Sequence, residues 1–405
     1  MEITYARTKK LERQYAVVAG RAFKNDAQFR DRKLQWMKRP RYKPEQTRVV
    51  IDDGVVVAGV AIVELPVRYG NTVLKLGGIS TVATDPDRQG HGYGRANMDD
   101  TVQFHVEDEY DISFLLGISD YYHRFGYRTA LSWSMVEVNL RSHAPDMPTG
   151  WKARRMRKFD IPAMDAIYRD GIGLCNLSVV RERCDWEWYF TYGRMGRTTD
   201  RVILNPRGEV AGYCTIELKG ATLRVAEVAC ADEEAAYDAI LAALKDVGRE
   251  QFAATAELYA VPGGGLANYC FYEKFGRRIE STAVGGGPML RLFNTQTLFN
   301  KIGETLSARW KAAPRSAPDE PVTIDSLGGT VALVPSGDRL KVKPDEKAGA
   351  VVKIPGEALV EMVLGYRPVN EIVRHDSIKA TKAAISVLSA VFPPQTPFMP
   401  PTDHF

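Results

Sequence analysis

The stretch DRQGHGYGRANMDD, residues 87–100, sets glycines at 90, 92 and 94 and then turns polar and helical. Directly before it, ISTVATDP (79–86) is a β-rich apolar run closed by a proline. Strand, glycine loop and helix in that order offer backbone N–H groups and a positive helix end to a phosphate. Three phosphate loops compete for the pattern. A Walker loop ends in Gly-Lys-Ser/Thr, which is missing here. A dinucleotide fingerprint needs G-x-G-x-x-G with an acid closing the next strand. Here the third glycine comes one residue early, and Glu107, Asp108 and Glu109 precede the strand instead. What remains is Q-x-x-G-x-G, carried by Gln89, Gly92 and Gly94.

Outward from the loop, the chain reads as helices near 10–24 and 26–37, then a hairpin over 48–65 turning at Asp52-Asp53-Gly54. A strand over 73–84, the loop, a helix to about 108 and the buried strand ISFLLG (112–117) follow. A short helix DYYHRF and a long strand YRTALSWSMVEVNL close this block. The block then repeats. RVVIDDGVVVAGVAIVEL (48–65) recurs as RVILNPRGEVAGYCTIEL (201–218), and YHRFGYR (122–128) as YEKFGRR (272–278). The first two-thirds are therefore tandem copies, split near HAPDMPTG (143–150). In the second copy the strand RVAEVAC is followed by ADEEAAYDAIL, acids and alanines in place of glycines, which would repel a diphosphate. From about Phe293 a third block opens with the helix TQTLFNKIGETLSARW. It continues through strands VTIDSL and TVALVP and helices GEALVEMVLG and SIKATKAAISVLSAVF to a proline-rich tail ending in Phe405.

Composition bounds the partners. Over 405 residues the net charge is +4, too near neutral to imply a nucleic-acid partner, and the basic runs at 37–43 and 152–158 read as solvated loops. No apolar run reaches the ~18 residues of a membrane span. The charged N-terminal segment lacks a signal-peptide core. The five cysteines show no CxxC spacing, so neither a disulfide framework nor a zinc site is expected, and no metal at all; a cytoplasmic location follows.

The loop between strand and full helix resembles motif A of the GCN5-related N-acetyltransferases (GNAT). Tandem lobes with a third domain of about 110 residues are similar to the Eis ("enhanced intracellular survival") acetyltransferases over essentially the whole chain. The resemblance implies an α/β (α+β) chain of a catalytic GNAT domain (1–147), a degenerate GNAT-like domain (148–292) and a sterol-carrier-like domain (293–405). It implies acetyl-coenzyme A as co-substrate, gripped by Gln89, Gly90, His91, Gly92, Tyr93, Gly94 and Arg95. The thioester oxygen would be received by backbone N–H groups of Val82, Ala83 and Thr84, and the thiolate by Tyr122, with Tyr121 the rival. His123, next to Tyr122, should face away from the cofactor. In the family the chain's own terminal carboxylate, here that of Phe405, serves as general base; His404 stands where some relatives carry an acid. Asp26 and Trp36 match positions lining the acceptor pocket, suited to a cation. Trp186 and Trp188 read as core of the second lobe.

The expected reaction is acetyl transfer to a primary amine of a small polyamine-like or aminoglycoside-like cation, in a ring-like homo-oligomer with a hexamer the candidate order. Two alternatives stay open: a non-catalytic coenzyme A- and lipid-binding protein, and an acyltransferase for longer chains.

Overall fold

The computed structural model describes residues 1–23, 34–282, 285–314 and 318–405. The chain forms two compact units, residues 1–131 with 283–395 and Phe405, and residues 132–282 with 396–404.

The first unit begins with strand β1 (Glu2–Tyr5) and helix α1 (Lys9–Ala22), whose first turn is capped by the Thr8 hydroxyl accepting from Leu11 N–H at 3.3 Å. Strands β2 (Thr47–Asp52) and β3 (Val55–Tyr69) form a hairpin whose turn residues Asp53 and Gly54 both have positive φ, the two-residue turn that matches strand twist. Strand β4 (Thr72–Thr84) returns antiparallel to β3. Helix α2 (Tyr93–Glu107) and strands β5 (Ile112–Gly117) and β6 (Arg128–Thr129) follow. A buried Tyr15 from α1 stands against Gly59 of β3, where an added Cβ would lie 2.3 Å from its ring. That close approach lets α1 lie flat on the sheet.

The long strand expected over 127–140 is not one strand. It breaks after Thr129, and its second part, β7 (Trp133–Asn139), pairs in the sheet of the second unit. That sheet also contains β8 (Lys152–Arg155), β9 (Arg201–Leu204), β10 (Val210–Lys219), β11 (Thr222–Cys230), β12 (Thr255–Leu258) and β13 (Arg277–Ser281). Its order is β8-β9-β10-β11-β12-β7-β13. Reciprocally, β14 (Gly287–Leu292), which ends the second copy, joins the first sheet, ordered β1-β2-β3-β4-β5-β14-β6. The copies thus exchange one strand each. Helices α3 (Ile161–Asp170), α4 (Arg183–Thr191), α5 (Glu234–Glu250) and α6 (Gly265–Tyr272) complete the second unit. Trp186 and Trp188 are buried in it as expected, with the Trp186 indole N–H donating to Asp165 at 2.9 Å.

The third block packs within the first unit. Helix α7 (Thr295–Ala312) lies over a four-stranded sheet of β15 (Val322–Ser326), β16 (Gly329–Ser336), β17 (Arg339–Pro344) and β18 (Ala350–Lys353), ordered β17-β16-β15-β18. Helices α8 (Gly356–Leu364), α9 (Val369–His375) and α10 (Lys382–Val391) follow. Polar contacts fix the block to the first lobe. Lys301 donates to Asp111 at 2.8 Å, Arg128 to Asp376 at 2.7 Å, and the Tyr69 hydroxyl to the Val363 carbonyl at 2.8 Å. No described helix is long and apolar enough to cross a membrane.

Candidate active site

The first sheet is split beside its glycine loop. Strands β4 and β5 run parallel but pair only over Leu76–Gly78 and Ile112–Phe114. Beyond that, Leu115–Gly117 of β5 pairs with β14, while Ile79–Thr84 of β4 has strand partners only on β3. A wedge-shaped fork opens there. The same stretch of β4 carries a bulge: the register shifts between Gly59 and Ala61, so Thr81 and Val82 have no β3 partner. Thr81 sits at φ +53°, and its carbonyl accepts from the Tyr15 hydroxyl at 2.7 Å. Burial raises the Tyr15 phenol well above its ordinary pKa, which keeps it a donor. The bulge is pinned where β4 runs on past β5, and the backbone of Thr81 and Val82 leaves the β3 ladder there. Of the residues named from the sequence, Val82 lies in this bulge, while Ala83 and Thr84 keep Gly59 and Ala58 of β3 as register partners.

Two glycines mark the base of the fork, on opposite faces of β4. An added Cβ at Gly77 would lie 2.2 Å from His105 Nε2; one at Gly78 would lie 2.0 Å from Cζ of Phe405. The ring of the chain's last residue therefore rests directly on Gly78 and meets Phe114 edge-to-face, centroids 5.6 Å apart. This slot was not foreseen from the sequence. The pair of glycines inside a β-run (LGGIS) is the signal that marks it, because strand glycines often mark close approach of another group.

The loop ahead of α2 is open and rich in positive-φ glycine. Gly90 and Gly92 have φ +83° and +81°, with nothing within 4 Å of an added Cβ, so both are required by conformation and both face open space. Gly94 is closely approached, its Cβ position being 3.0 Å from Thr84 Oγ1 and 3.5 Å from the Tyr121 hydroxyl. Gly92 caps α2 without a side-chain hydrogen bond, and the first turn holds no acid, so its N–H groups can receive an anion. Arg95, three-quarters exposed, projects from this turn, and Gln89 is exposed beside it. His91 and Tyr93 shape the loop: His91 Nδ1 lies 3.0 Å from the Gln89 carbonyl, the two rings stack, and Tyr93 donates to Asp52 at 2.6 Å.

Tyr121 and Tyr122 stand edge-to-face at the end of β5, centroids 4.9 Å apart. Tyr121 is half-buried with its hydroxyl toward Gly94; Tyr122 is buried over Gly117 and has no hydrogen-bond partner among the described residues. Burial, the dominant cause, raises both phenols, so each remains a proton donor at neutral pH. His123 is exposed. Trp36 is nine-tenths buried with the Arg39 guanidinium 4.6 Å above its ring. Asp26 lies outside the described residues.

Beneath the fork runs a buried polar chain. The Tyr127 hydroxyl donates to Ser113 Oγ at 2.7 Å, and Ser113 to the Gly77 carbonyl at 2.6 Å. His105 Nε2 lies 3.3 Å from the same carbonyl, and its Nδ1 2.7 Å from that of Thr101. Burial lowers the His105 pKa to about 4, so it folds as the neutral imidazole. The unfolded chain takes up this proton near pH 6.5, before the folded one does. Stability present above pH 6.5 is therefore lost as pH falls toward 4, by about 3 kcal/mol from this group. Urea unfolding of the wild type should show that slope, and His105→Gln should lack it.

Comparison with known proteins follows the geometry. Residues 2–130 match the family model of the acetyltransferase (GNAT) domain, and residues 324–400 that of the sterol carrier protein domain. Among curated proteins none matches the sequence. Solved structures match the whole chain by fold. A GCN5-related N-acetyltransferase from Anabaena variabilis has a TM-score of 0.75 at 17% identity, covering 100% of both chains. A probable N-acyltransferase from Enterococcus faecalis reaches 0.74 at 13%, covering 100% of this chain and 99% of its own. Eis1 from Mycobacterium abscessus reaches 0.65 at 16%, covering 100% of both chains.

Proposed function

We propose, for a chain that is a GNAT acetyltransferase over residues 2–130 and a sterol carrier domain over residues 324–400, that it moves the acetyl group of acetyl-coenzyme A to a primary amine of a small polyamine- or aminoglycoside-like cation. The observation that carries this reading is the fork between β4 and β5, with an uncapped glycine loop at its open end and the chain's last residue seated on Gly78 at its base.

In this reading each residue has one task. The amides of Gly92 through Arg95 and the Arg95 side chain bind the diphosphate. The carboxylate of Phe405 takes the proton of the acceptor ammonium, which makes the nitrogen nucleophilic. The amides of Val82, Ala83 and Thr84 receive the charge that develops on the thioester oxygen. The Tyr122 hydroxyl, kept protonated by burial, donates to the departing thiolate. The second lobe, where ADEEAAYDAIL directly follows β11 in place of a glycine loop, is assigned no cofactor. A cytoplasmic, ring-like homo-oligomer belongs to the same proposal.

Release of free thiol from acetyl-coenzyme A, measured across a panel of primary amines, tests the reading. Turnover with at least one small cation is expected; tight binding of coenzyme A without turnover for any amine would overturn it in favour of a binding protein. Tyr122→Phe should lower kcat by roughly 10²-fold while leaving acetyl-coenzyme A affinity within a factor of two, because the lost proton donor acts only as the thiolate leaves. A fall in affinity with kcat unchanged would move the role to Tyr121.

A further inference from the structure

In the proline-rich tail Asp403 is fully buried, and Thr402 and His404 are more than nine-tenths so. Within the second unit Arg181 donates from Nε and Nη2 to the Asp403 carboxylate at 3.1 and 2.9 Å, and from Nη1 and Nη2 to Glu227 at 2.8 and 2.5 Å. Tyr189 also donates to Asp403, and Tyr213 donates to Glu227 at 2.7 Å. The guanidinium lies over the rings of Tyr168 and Trp186, at 4.1 and 4.6 Å. Arg194 donates to the backbone carbonyls of Thr402 and His404.

The position of this trio in the repeat carries the argument. Strands β11 and β12 run parallel only over Thr222–Val225 and Thr255–Leu258, as β4 and β5 do in the first copy. Glu227 lies two residues past the last pair, beside a bulge marked by the register shift between Thr215 and Ile216. The 401–403 turn of the tail packs on β11 at this place. Here β11 runs on past the end of β12, and a segment of the tail packs on the part left without a β12 partner. Burying a guanidinium with two carboxyl groups is seldom a gain in stability over apolar packing, so its presence points to specificity of placement.

We propose that the second unit is a clamp for the chain's C terminus: the Arg181–Glu227 pair grips Asp403 and thereby positions the carboxylate of Phe405 for proton removal. Arg181, Glu227 and Asp403 are positioning residues, and the catalytic meaning of the clamp rests on the reading of Phe405 given above. Phe405 lies two residues beyond the gripped carboxylate, and each Cα–Cα step spans 3.80 Å. Fixing Asp403 therefore confines the terminal carboxylate to a small volume, which raises its effective concentration at one place.

Asp403→Asn in the full chain is the test, because it leaves Arg181 balanced one-to-one by Glu227 and so spares the fold. Two rates are read: removal of Phe405 by a carboxypeptidase, and acetyl transfer. The clamp predicts at least about tenfold faster removal, since an ion pair is exchanged for a weaker hydrogen bond from the guanidinium to an uncharged amide oxygen. It predicts a fall in kcat of similar size or larger, with acetyl-coenzyme A affinity and the amine KM little changed. Unchanged affinity also certifies the fold of the first unit. Removal as slow as in the wild type would overturn the clamp. Faster removal with undiminished transfer would uphold the clamp and overturn the assignment of Phe405 as base.

Discussion

Adding a few residues after Phe405 should abolish acetyl transfer while coenzyme A still binds. The extension turns the terminal carboxylate into a peptide bond, which cannot accept a proton at neutral pH, and moves the new carboxylate away from the ring seated on Gly78. A positioned general base contributes roughly 10²–10⁴-fold, so kcat should fall by that factor. The glycine loop and β4 amides lie outside the change, so titration of coenzyme A should give the wild-type affinity. A C-terminally tagged enzyme with full activity would remove Phe405 from the chemistry and leave its ring as packing only. The same comparison bears on handling the protein, since a cleaved tag must leave phenylalanine last.

Gly78→Val should have nearly as large an effect by a different route. Valine suits a β-strand, so β4 should persist. Its Cβ, however, would lie 2.0 Å from Cζ of Phe405 and 2.4 Å from both Cε atoms, so the ring has to leave. The carboxylate is then present but no longer placed, and kcat should drop by roughly 10²-fold with cofactor affinity kept. Phe405→Ala keeps the carboxylate but loses a ring whose burial is worth about 2 kcal/mol, so a smaller fall is expected. Combined with Gly78→Val it should add little, because both changes break the same contact. Additive losses in that cycle would mean that Gly78 acts on something other than the tail.

The first copy could be read in detail because its signals are local. The Asp-Gly turn, the glycine loop and the apolar run 112–117 each state a conformation within a few residues, and β2, β3, β4, β5 and α2 lie within a few residues of where those signals put them. Strand β7 was visible as a strand but not as a member of the other sheet. Alternation along WSMVEVN says which face is apolar and nothing about which neighbour pairs with it. Strands β17 and β18 are short, and lysines interrupt β17; α9 has only seven residues after a proline. Such segments give too little periodicity to separate from loop. The clamp is the least readable part. Arg181 meets Glu227 from 46 positions away and Asp403 from 222, and no local pattern records such a meeting. Only the fold brings them together.

A crystal structure with acetyl-coenzyme A bound tests the central claim most directly. The account predicts the diphosphate on the N–H groups of residues 92–95, and the thioester between β4 and β5 with its oxygen in hydrogen-bond reach of the Val82–Thr84 amides. Phe405 should keep its place on Gly78. A nucleotide lying elsewhere on the protein, or the 89–95 loop without phosphate at saturating cofactor, would contradict it.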